Sequence, residues 1–250
     1  MIKNNSINTL QTLKNSVSKV FINSENDWLF KAIIFGDKSS TPATYKEQFK
    51  ILGISHLFAI SGLHIGMVFA IGFFGVKLLF SMLLFKTNQR LNLNKLYTCA
   101  GLILALLYTL LSGCSVSAVR ALVMLAVFSI MYLKGYQYLS FNALQIALMT
   151  SVIFNPFQLL NPGIYFSFIA VYILIITYKK LNLAHNTLLN RSLWLFIIQI
   201  NLTVGLFPLV WFLSDGISFI GIIANIIAIP LMAIFILPSI FIIIITINFI

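Results

Sequence analysis

Long apolar runs that carry almost no charge dominate the chain from residue 51 onward and limit what it can fold into. Residues 54–85 are apolar almost without interruption, whereas about 20 residues suffice to cross a bilayer. Charged residues make up 8% of the chain, against roughly a quarter in a soluble domain. Spanning segments must satisfy their own main-chain hydrogen bonds, and these runs lack the alternation of barrel strands. The sequence therefore predicts an all-α, polytopic membrane protein.

The apolar segments predict about seven transmembrane helices, some of them broken or re-entrant. They cover residues 54–85, 96–112, 119–133, 140–154, 164–178, 192–213 and 217–250. The first exceeds the length of one span, which predicts a tilted helix or a break near Ser61 and Gly62. In the last, Asn225 followed by Pro230 predicts a broken helix.

The charge pattern predicts two regions and an orientation. Residues 1–50 are polar and begin with apolar positions at helical spacing, which predicts an amphipathic, extracytoplasmic segment; residues 51–250 form the transmembrane domain. The loops between the predicted spans alternate in charge. Basic residues occur in 86–95, 134–139 and 179–191, and none occur in 113–118, 155–163 and 214–216. The positive-inside rule places the basic loops in the cytoplasm and the N-terminal segment outside.

The stretch HLFAISGLHIGM, residues 56–67, places imidazole and hydroxyl groups within an apolar run. Ser61 and His64 are three residues apart and share a helix face, and His56 lies two turns earlier. Burying a polar group in a membrane span costs free energy, so each such residue is a candidate functional residue. Three interpretations compete, namely helix packing with a buried hydrogen bond, the polar lining of an aqueous path, and a Ser-His catalytic pair. Gly62 and Gly66 form a G-x-x-x-G pair, which permits close helix contact.

Catalysis is the weakest of the three interpretations. AISG is not the G-x-S-G of rhomboid proteases, and Asp215 is the single acid after residue 50. No carboxylate pair is therefore present there for acid–base chemistry or for a metal. We expect a protein that is not an enzyme, with no catalytic residues, no metal site and no cofactor.

A second polar group lies in SGCSVSAVRALVM, residues 112–124. Ser115 and Ser117 are candidate N-caps of the helix that follows. Arg120 lies at the membrane edge or within it. It either snorkels to a lipid headgroup or, together with the helix N-terminus, contacts a phosphate. Asn225, in the middle of the last segment, either packs between helices or lines a polar path.

Taken in order, four stretches resemble the competence domain of the ComEC family: IIFGDKSSTPATYKEQFKILGISHLFAISGLHIGM, LSGCSVSAVRALVM, FNPFQLLNPGIYFSFIAVY and PLVWFLSDGISFIGIIANIIAIPL. The family pattern comprises a G-D-[RK]-S turn, a G-[LI]-x-H-L-x-A-[IV]-S-G-[LI]-H block, an S-x-x-R-A block, a D/N-P turn and an N-x-x-A-[IV]-P block. All five occur in that order across residues 34–231, and the block that contains Ser61 and His64 is the most specific.

The chain also departs from the family pattern. Typical members carry an OB-like extracellular domain near the N-terminus, and many end in a metallo-β-lactamase-like domain; neither is evident in this sequence. Asn155-Pro156 stands where the family often has Asp-Pro, and Phe166 replaces the usual leucine before Ser167. The resemblance is compatible with a minimal version, one piece of a split gene, or a non-functional truncated remnant.

The resemblance implies a channel that imports single-stranded DNA across the cytoplasmic (inner) membrane during natural transformation, as a monomer or a homodimer. Gly62 and Gly66 would allow helices to approach, and Asp37 would stabilise an outer loop. The path would be lined or braced by His56, Ser61, His64, Ser117, Arg120 and Asn225.

The implied partners are an outer DNA receptor, a cytoplasmic helicase-like motor, membrane lipid, and a separate chain that supplies the missing nuclease-like domain. Two alternatives stay open. A solute or ion transporter of another class would depend on Asp215, because ion-coupled carriers usually need an intramembrane carboxylate. An intramembrane serine hydrolase would depend on Ser61.

Overall fold

A computed structural model of the chain describes residues 27–37, 39–55, 57, 60–83, 93–180, 188–213, 220–236 and 238–239. Within these ranges the secondary structure is helical, and no strand occurs. Several sequence-based predictions concern residues outside the described ranges. They are the amphipathic segment within residues 1–26, His56, most of the basic loop 86–95, and the turn that holds Asp215.

Nine α-helices are present in the described ranges: α1 (Asp27–Phe35), α2 (Ala43–Ile51), α3 (Gly62–Leu83), α4 (Asn94–Leu111), α5 (Val116–Leu133), α6 (Phe141–Phe154), α7 (Pro162–Lys180), α8 (Leu188–Leu213) and α9 (Ile220–Leu231). A 3₁₀ helix, Pro156–Leu160, links α6 to α7, and a π-helical segment, Met232–Ile236, follows α9.

The all-α membrane fold is confirmed, although the count of about seven spans stays a prediction. Five described helices are long and apolar enough to cross a bilayer, namely α3, α4, α5, α7 and residues Leu193–Leu213 of α8. The fourth predicted span is the 14-residue helix α6, which is shorter than the ~20 residues of a full crossing. In the last predicted segment, α9 continues through Pro230 and ends at Leu231, where the π-helical segment begins.

The predicted break near Ser61 is where α3 begins. The described residues just before it, Ile60 and Ser61, are not helical, and the helix starts at Gly62. In the described part of the first apolar run, residues 54, 55, 57, 60 and 61 are not helical, and a spanning helix of 22 residues follows. At 1.5 Å per residue, a helix of that length extends about 33 Å, enough to cross the hydrocarbon core.

Side-chain caps fix where the next helices begin. The Ser115 hydroxyl accepts from the N–H of Ala118 at 3.3 Å, which confirms one of the two predicted caps of α5. Ser140 caps α6 in the same way, accepting from Ala143 at 3.2 Å. The Asn161 side chain accepts from the N–H of Gly163 at 2.8 Å at the start of α7. Each cap satisfies a main-chain N–H that a helix N-terminus leaves without an intrahelical partner.

Helices α3 and α4 make a very close main-chain contact at Gly72 and Gly101. A Cβ atom placed on Gly72 would lie 2.9 Å from the Cα of Gly101, and one on Gly101 would lie 2.8 Å from the carbonyl oxygen of Phe69. Small residues let helices in a membrane approach in this way. The contact holds α3 and α4 together as an antiparallel pair.

Helix α1 packs onto the spanning helices. Ile33 and Ile34 are buried in one cluster with Leu57 and with Met232 of the π-helical segment. The buried hydroxyl of Tyr108, on α4, donates to the carbonyl of Ile33 at 2.9 Å. This part of the N-terminal segment therefore contacts both the approach to α3 and the end of α4.

The starts of α3, α5 and α7 lie at the same end of the helix bundle. The Ser117 hydroxyl, on α5, donates to the carbonyl of Ile60, just before α3, and the Arg120 side chain, on α5, donates to the carbonyl of Gly163, on α7. We call this the outer end, following the positive-inside rule. The opposite, inner end carries the basic residues Lys95, Lys134, Lys179 and Lys180.

Candidate functional site

Ser61 and His64 form a hydrogen-bonded pair at the outer end of α3. The Ser61 hydroxyl lies 2.9 Å from His64 Nδ1, and the Ser61 main-chain N–H donates to the same nitrogen at 3.4 Å. His64 is 0% exposed. Ser61 directly precedes the helix, and His64 is its third residue, the position that Glu or Gln takes in a capping box. The imidazole therefore caps the first turn of α3 and accepts at Nδ1.

Helix α5 packs beside this pair. The Ser117 hydroxyl donates to the carbonyl of Ile60 at 2.7 Å and lies 3.3 Å from the Ser115 hydroxyl. A Cβ atom on Gly62 would lie 3.5 Å from the Cβ of Ala121, which is ordinary van der Waals contact. The structure thus brings Ser61, His64, Gly62 and Ser117 together at the outer contact of α3 and α5.

Arg120 lies one turn deeper on α5 and faces α7. Its Nη2 donates to the carbonyl of Gly163 at 3.1 Å and to the Ser167 hydroxyl at 3.3 Å. The side chain is 4% exposed, and Nε and Nη1 are buried without a hydrogen-bond partner among the described residues. A buried charge normally has a counter-charge or a full set of hydrogen bonds. Arg120 therefore retains donors that the described protein groups do not use.

Other predicted site residues lie elsewhere. Asn225 is buried on α9, and its Oδ1 has no hydrogen-bond partner in the described part of the chain. It shares a helix face with Ala228 and Ile229, which pack against α1 rather than against Arg120. Asp37 is exposed, and its Oδ1 accepts from the N–H of Ser39 at 2.9 Å, which closes a turn in the outer loop.

Gly66 is not at a close helix contact in this conformation, because a Cβ atom there would meet nothing within 4 Å. Whether it serves helix packing stays a prediction. His56 lies outside the described residues. Among the described residues, no three His, Cys, Asp or Glu side chains are grouped so that they could hold a metal ion.

Sequence reasoning missed two buried polar residues near Arg120. Ser151, on α6, and Gln158, in the 3₁₀ helix, are 1% and 6% exposed. Ser151 Oγ and Gln158 Oε1 have no hydrogen-bond partner within the described ranges. The available signal was helical spacing, since Ser151 lies one turn after Ala147 and two turns after Leu144 on the buried face of α6.

An aromatic cleft of about 420 Å³ opens between α3, α4 and α5. None of the predicted path residues lines it. At 100° per residue, its α5 side chains Leu125 and Tyr132 lie more than 100° around the helix from Arg120, so the cleft and Arg120 face different sides of α5. The lining residues are Phe69, Ala70, Phe73, Phe74, Thr98, Leu125, Phe128, Ser129, Tyr132, Tyr138 and Leu139.

A sequence profile of the family described as "Competence protein" matches residues 33–250, which is most of the chain. The chain belongs to the competence protein family. This family membership and the five long apolar helices identify a multi-pass protein of the cytoplasmic membrane. The resemblance to the ComEC family that the sequence motifs indicated is thereby confirmed.

Individual members of the competence family are similar over most of the chain. Recombination protein 2 of Haemophilus influenzae is 29% identical over 224 residues, which is 85% of this chain and 27% of that protein. ComE operon protein 3 of Bacillus subtilis is 26% identical over 212 residues, or 84% of this chain and 25% of that protein. Competence protein ComA of Neisseria gonorrhoeae is 32% identical over 148 residues, or 56% of this chain and 20% of that protein.

The chain thus spans about a quarter of the length of the curated relatives that it matches. No solved structure matches it.

Proposed function

We propose that this chain takes part in DNA uptake during natural transformation, and that it forms a conduit for single-stranded DNA across the cytoplasmic membrane. The family match over residues 33–250 and the names of relatives such as competence protein ComA support a role in competence. The channel itself is supported by the chemistry of the outer end. Single-stranded DNA is the substrate, and an outer receptor, a cytoplasmic helicase-like motor and a chain with a nuclease-like domain are the proposed partners.

The observation that carries the proposal is the polar cluster between two spanning helices, in which His64 is buried and Ser61 and Ser117 are half-buried. Hydroxyl and neutral imidazole groups offer hydrogen bonds to phosphate and sugar without holding a polyanion tightly. A channel must bind strongly enough to admit its substrate and weakly enough to release it.

The charge of the chain agrees with a polyanionic substrate. The formal net charge is +11, and Asp215 is the single carboxylate in the sequence after residue 50. Because the spanning region carries few negative charges, it repels a phosphate backbone only weakly. A carrier of cations would be expected to show the opposite pattern.

Uptake of labelled DNA tests the proposal. We expect a strain that lacks the gene to lose entry of labelled DNA into the cytoplasm, and the wild-type gene to restore it. His64→Ala and Arg120→Ala should not restore it, whereas Ser81→Ala, an exposed serine that bonds within its own helix, should. Unchanged transformation in the strain without the gene defeats the proposal.

A second variant separates a path role for His64 from simple helix capping. Glutamine suits the third position of a capping box, so His64→Gln can keep the bond to the Ser61 N–H while it removes the imidazole. If the imidazole serves the DNA path, His64→Gln abolishes uptake although the protein folds and inserts. If His64→Gln restores uptake fully, His64 acts as a cap and the path assignment at this residue is wrong.

A further inference from the structure

Three buried polar side chains at the outer ends of α5, α6 and the 3₁₀ helix carry polar atoms that no contact described above uses. They are Arg120, Ser151 and Gln158, and we call them the buried polar layer. Four of their atoms are buried without a hydrogen-bond partner among the described residues. These atoms are Nε and Nη1 of Arg120, Oγ of Ser151 and Oε1 of Gln158. Buried polar atoms are nearly always hydrogen-bonded, by protein, water or a ligand.

The register of the helices places Arg120 and Ser151 at the same level of the bundle. Met124, Ala147 and Ile164 belong to one buried apolar cluster formed by α5, α6 and α7. Arg120 lies one turn outward of Met124 on α5. Because α6 runs in the opposite direction, Ser151 lies one turn outward of Ala147.

The start of α7 and the 3₁₀ helix lie at the same outer end of the bundle. Gly163, which accepts from Arg120, directly precedes Ile164 of the same cluster. Gln158 lies in the 3₁₀ helix that joins α6 to α7. The polar layer therefore sits directly outward of the apolar cluster.

The hydroxyl of Ser151 is kept out of its own helix. The hydroxyls of Thr109 and Thr150 each donate to the main-chain carbonyl four residues earlier, at 2.8 and 2.7 Å. Serine and threonine hydroxyls within helices commonly make this bond. Ser151 makes no such bond to Ala147. Its hydroxyl therefore has no hydrogen-bond partner in the described part of the chain.

The chemistry of the layer matches an anion. The free atoms of Arg120 and Ser151 present donors, and the arginine carries a full positive charge. The described carboxylates lie elsewhere, since Asp27 pairs with Lys31, Asp37 closes its own turn, and Glu47 is exposed on α2. The N-terminus of the 19-residue helix α7 adds positive electrostatic potential at the same place.

We propose that the buried polar layer binds a phosphate group, and that in the working protein this phosphate is a phosphodiester of the passing DNA strand. The identity of the phosphate's owner rests on the proposed function; a phospholipid headgroup and inorganic phosphate share the same chemistry. The donor atoms are enclosed in this conformation, so phosphate binding requires the side chains around them to rearrange. Gln158 Oε1, an acceptor, takes a hydrogen bond from a water that accompanies the phosphate.

Binding to the purified full chain in neutral detergent tests the site. The probe is a fluorescent twelve-nucleotide oligo-dT followed by anisotropy, with competition by inorganic phosphate, by phosphatidylglycerol and by a methylphosphonate oligo-dT that lacks backbone charge. We expect Arg120→Gln to weaken binding of the charged oligonucleotide about tenfold or more and Ser151→Ala about threefold. Lys134→Gln, a basic residue at the inner end, is the matched control and should change it less than twofold.

Each outcome decides the proposal. Arg120→Gln could lose phosphatidylglycerol binding while it binds the oligonucleotide like the wild type. In that case the phosphate site stands, but its assignment to DNA is wrong. Three results would overturn the site itself. The methylphosphonate strand could bind as tightly as the charged oligonucleotide, or Lys134→Gln could weaken binding as much as Arg120→Gln does. Arg120→Gln and Ser151→Ala could also both bind with wild-type affinity. Ser151→Ala changes one hydroxyl, so it answers the question even if Arg120→Gln fails to fold.

The site and the conduit can fail separately. If Arg120→Gln binds every probe like the wild type while the strain without the gene loses DNA uptake, the proposed function stands and this inference falls. If phosphate binding depends on Arg120 while uptake is unaffected by loss of the gene, the site stands and the conduit falls.

Discussion

The hydroxyl of Tyr108 donates a 2.9 Å hydrogen bond to the main-chain carbonyl of Ile33, and so ties the N-terminal helix α1 to the spanning helix α4. Both groups are buried. Ile33 also packs with Leu57 and Met232 in one apolar cluster. This contact packs α1 against the spanning helix α4, next to the segment that leads into α3.

Removing that hydroxyl is expected to destabilise the protein. Tyr108→Phe leaves the Ile33 carbonyl buried without its partner, which should lower the free energy of unfolding by about 1–3 kcal/mol. Unfolding in detergent, followed by tryptophan fluorescence, measures the change. Tyr132→Phe, at an exposed ring, is the control and should be nearly neutral. Equal stability of Tyr108→Phe and the wild type would show that the contact is dispensable.

The glycines of α3 and α4 should differ sharply in their tolerance of alanine. Gly101→Ala places a methyl group 2.8 Å from the Phe69 carbonyl oxygen, so α3 and α4 must separate, at a cost of about 1–3 kcal/mol. Gly66→Ala and Gly75→Ala meet nothing within 4 Å and should be neutral or stabilising by up to about 1 kcal/mol. Thermal unfolding of the three variants checks this order. A destabilised Gly66→Ala would support the packing role predicted from the G-x-x-x-G pair.

The Ser117 bond should control local opening at the start of α3. Ser117→Ala removes the donor to the Ile60 carbonyl, and a loss of about 1 kcal/mol corresponds to about fivefold faster exchange through local opening. Hydrogen exchange at residues 60–65, measured by mass spectrometry, reports it. Ser81→Ala, whose hydroxyl bonds within its own exposed turn, should leave the same peptide unchanged. Wild-type exchange in Ser117→Ala would mean that the serine does not hold this segment.

Cysteine labelling tests the orientation. Cys114 is exposed in the turn between α4 and α5, at the outer end, and Cys99 is exposed near the other end of α4. A membrane-impermeant maleimide added to whole cells should label Cys114 and not Cys99, and Cys114→Ser should abolish the signal. Labelling of Cys114 only after permeabilisation would reverse the orientation predicted from the basic loops.

Substitution of Asp215 distinguishes a DNA conduit from an ion-coupled transporter. A transporter that relies on this carboxylate should lose activity in Asp215→Asn, whereas a DNA conduit should lose only a small part of its uptake. Entry of labelled DNA into cells that carry the variant is the measurement. Abolished uptake at normal protein levels would favour the carrier. Labelling of the wild type, but not of Ser61→Ala, by a fluorophosphonate probe would favour a hydrolase instead.

Hydropathy and local capping predicted most of the helical order. The long apolar runs gave the spanning helices α3, α4, α5, α7 and α8, because hydrocarbon leaves the backbone no alternative to internal hydrogen bonds. Ser61 and Gly62 predicted the start of α3, and Ser115 predicted the start of α5, because caps are local features of the sequence. The predicted segment 140–154 agrees with α6 to within one residue, because Ser140 caps the start of the helix and Asn155 follows its end.

The contacts between helices were much harder to predict. The G-x-x-x-G pair at Gly62 and Gly66 predicted a close contact on α3, yet the close main-chain contact with α4 is at Gly72 and Gly101, which are 29 residues apart. Such a pairing depends on how two helices cross, which no local pattern contains. For the same reason Ser151 and Gln158 were missed, since each is an isolated polar residue in the sequence and only the packing of the helices buries it.

The bonds from Tyr108 to Ile33 and from Ser117 to Ile60 both end on main-chain carbonyls. Every amino acid carries that acceptor, so an exchange of either isoleucine for another apolar residue of similar size leaves the bond intact. For these two hydrogen bonds the side chain matters only at the tyrosine and the serine, so the bonds can persist while the isoleucines are exchanged for other apolar residues that fill the same space.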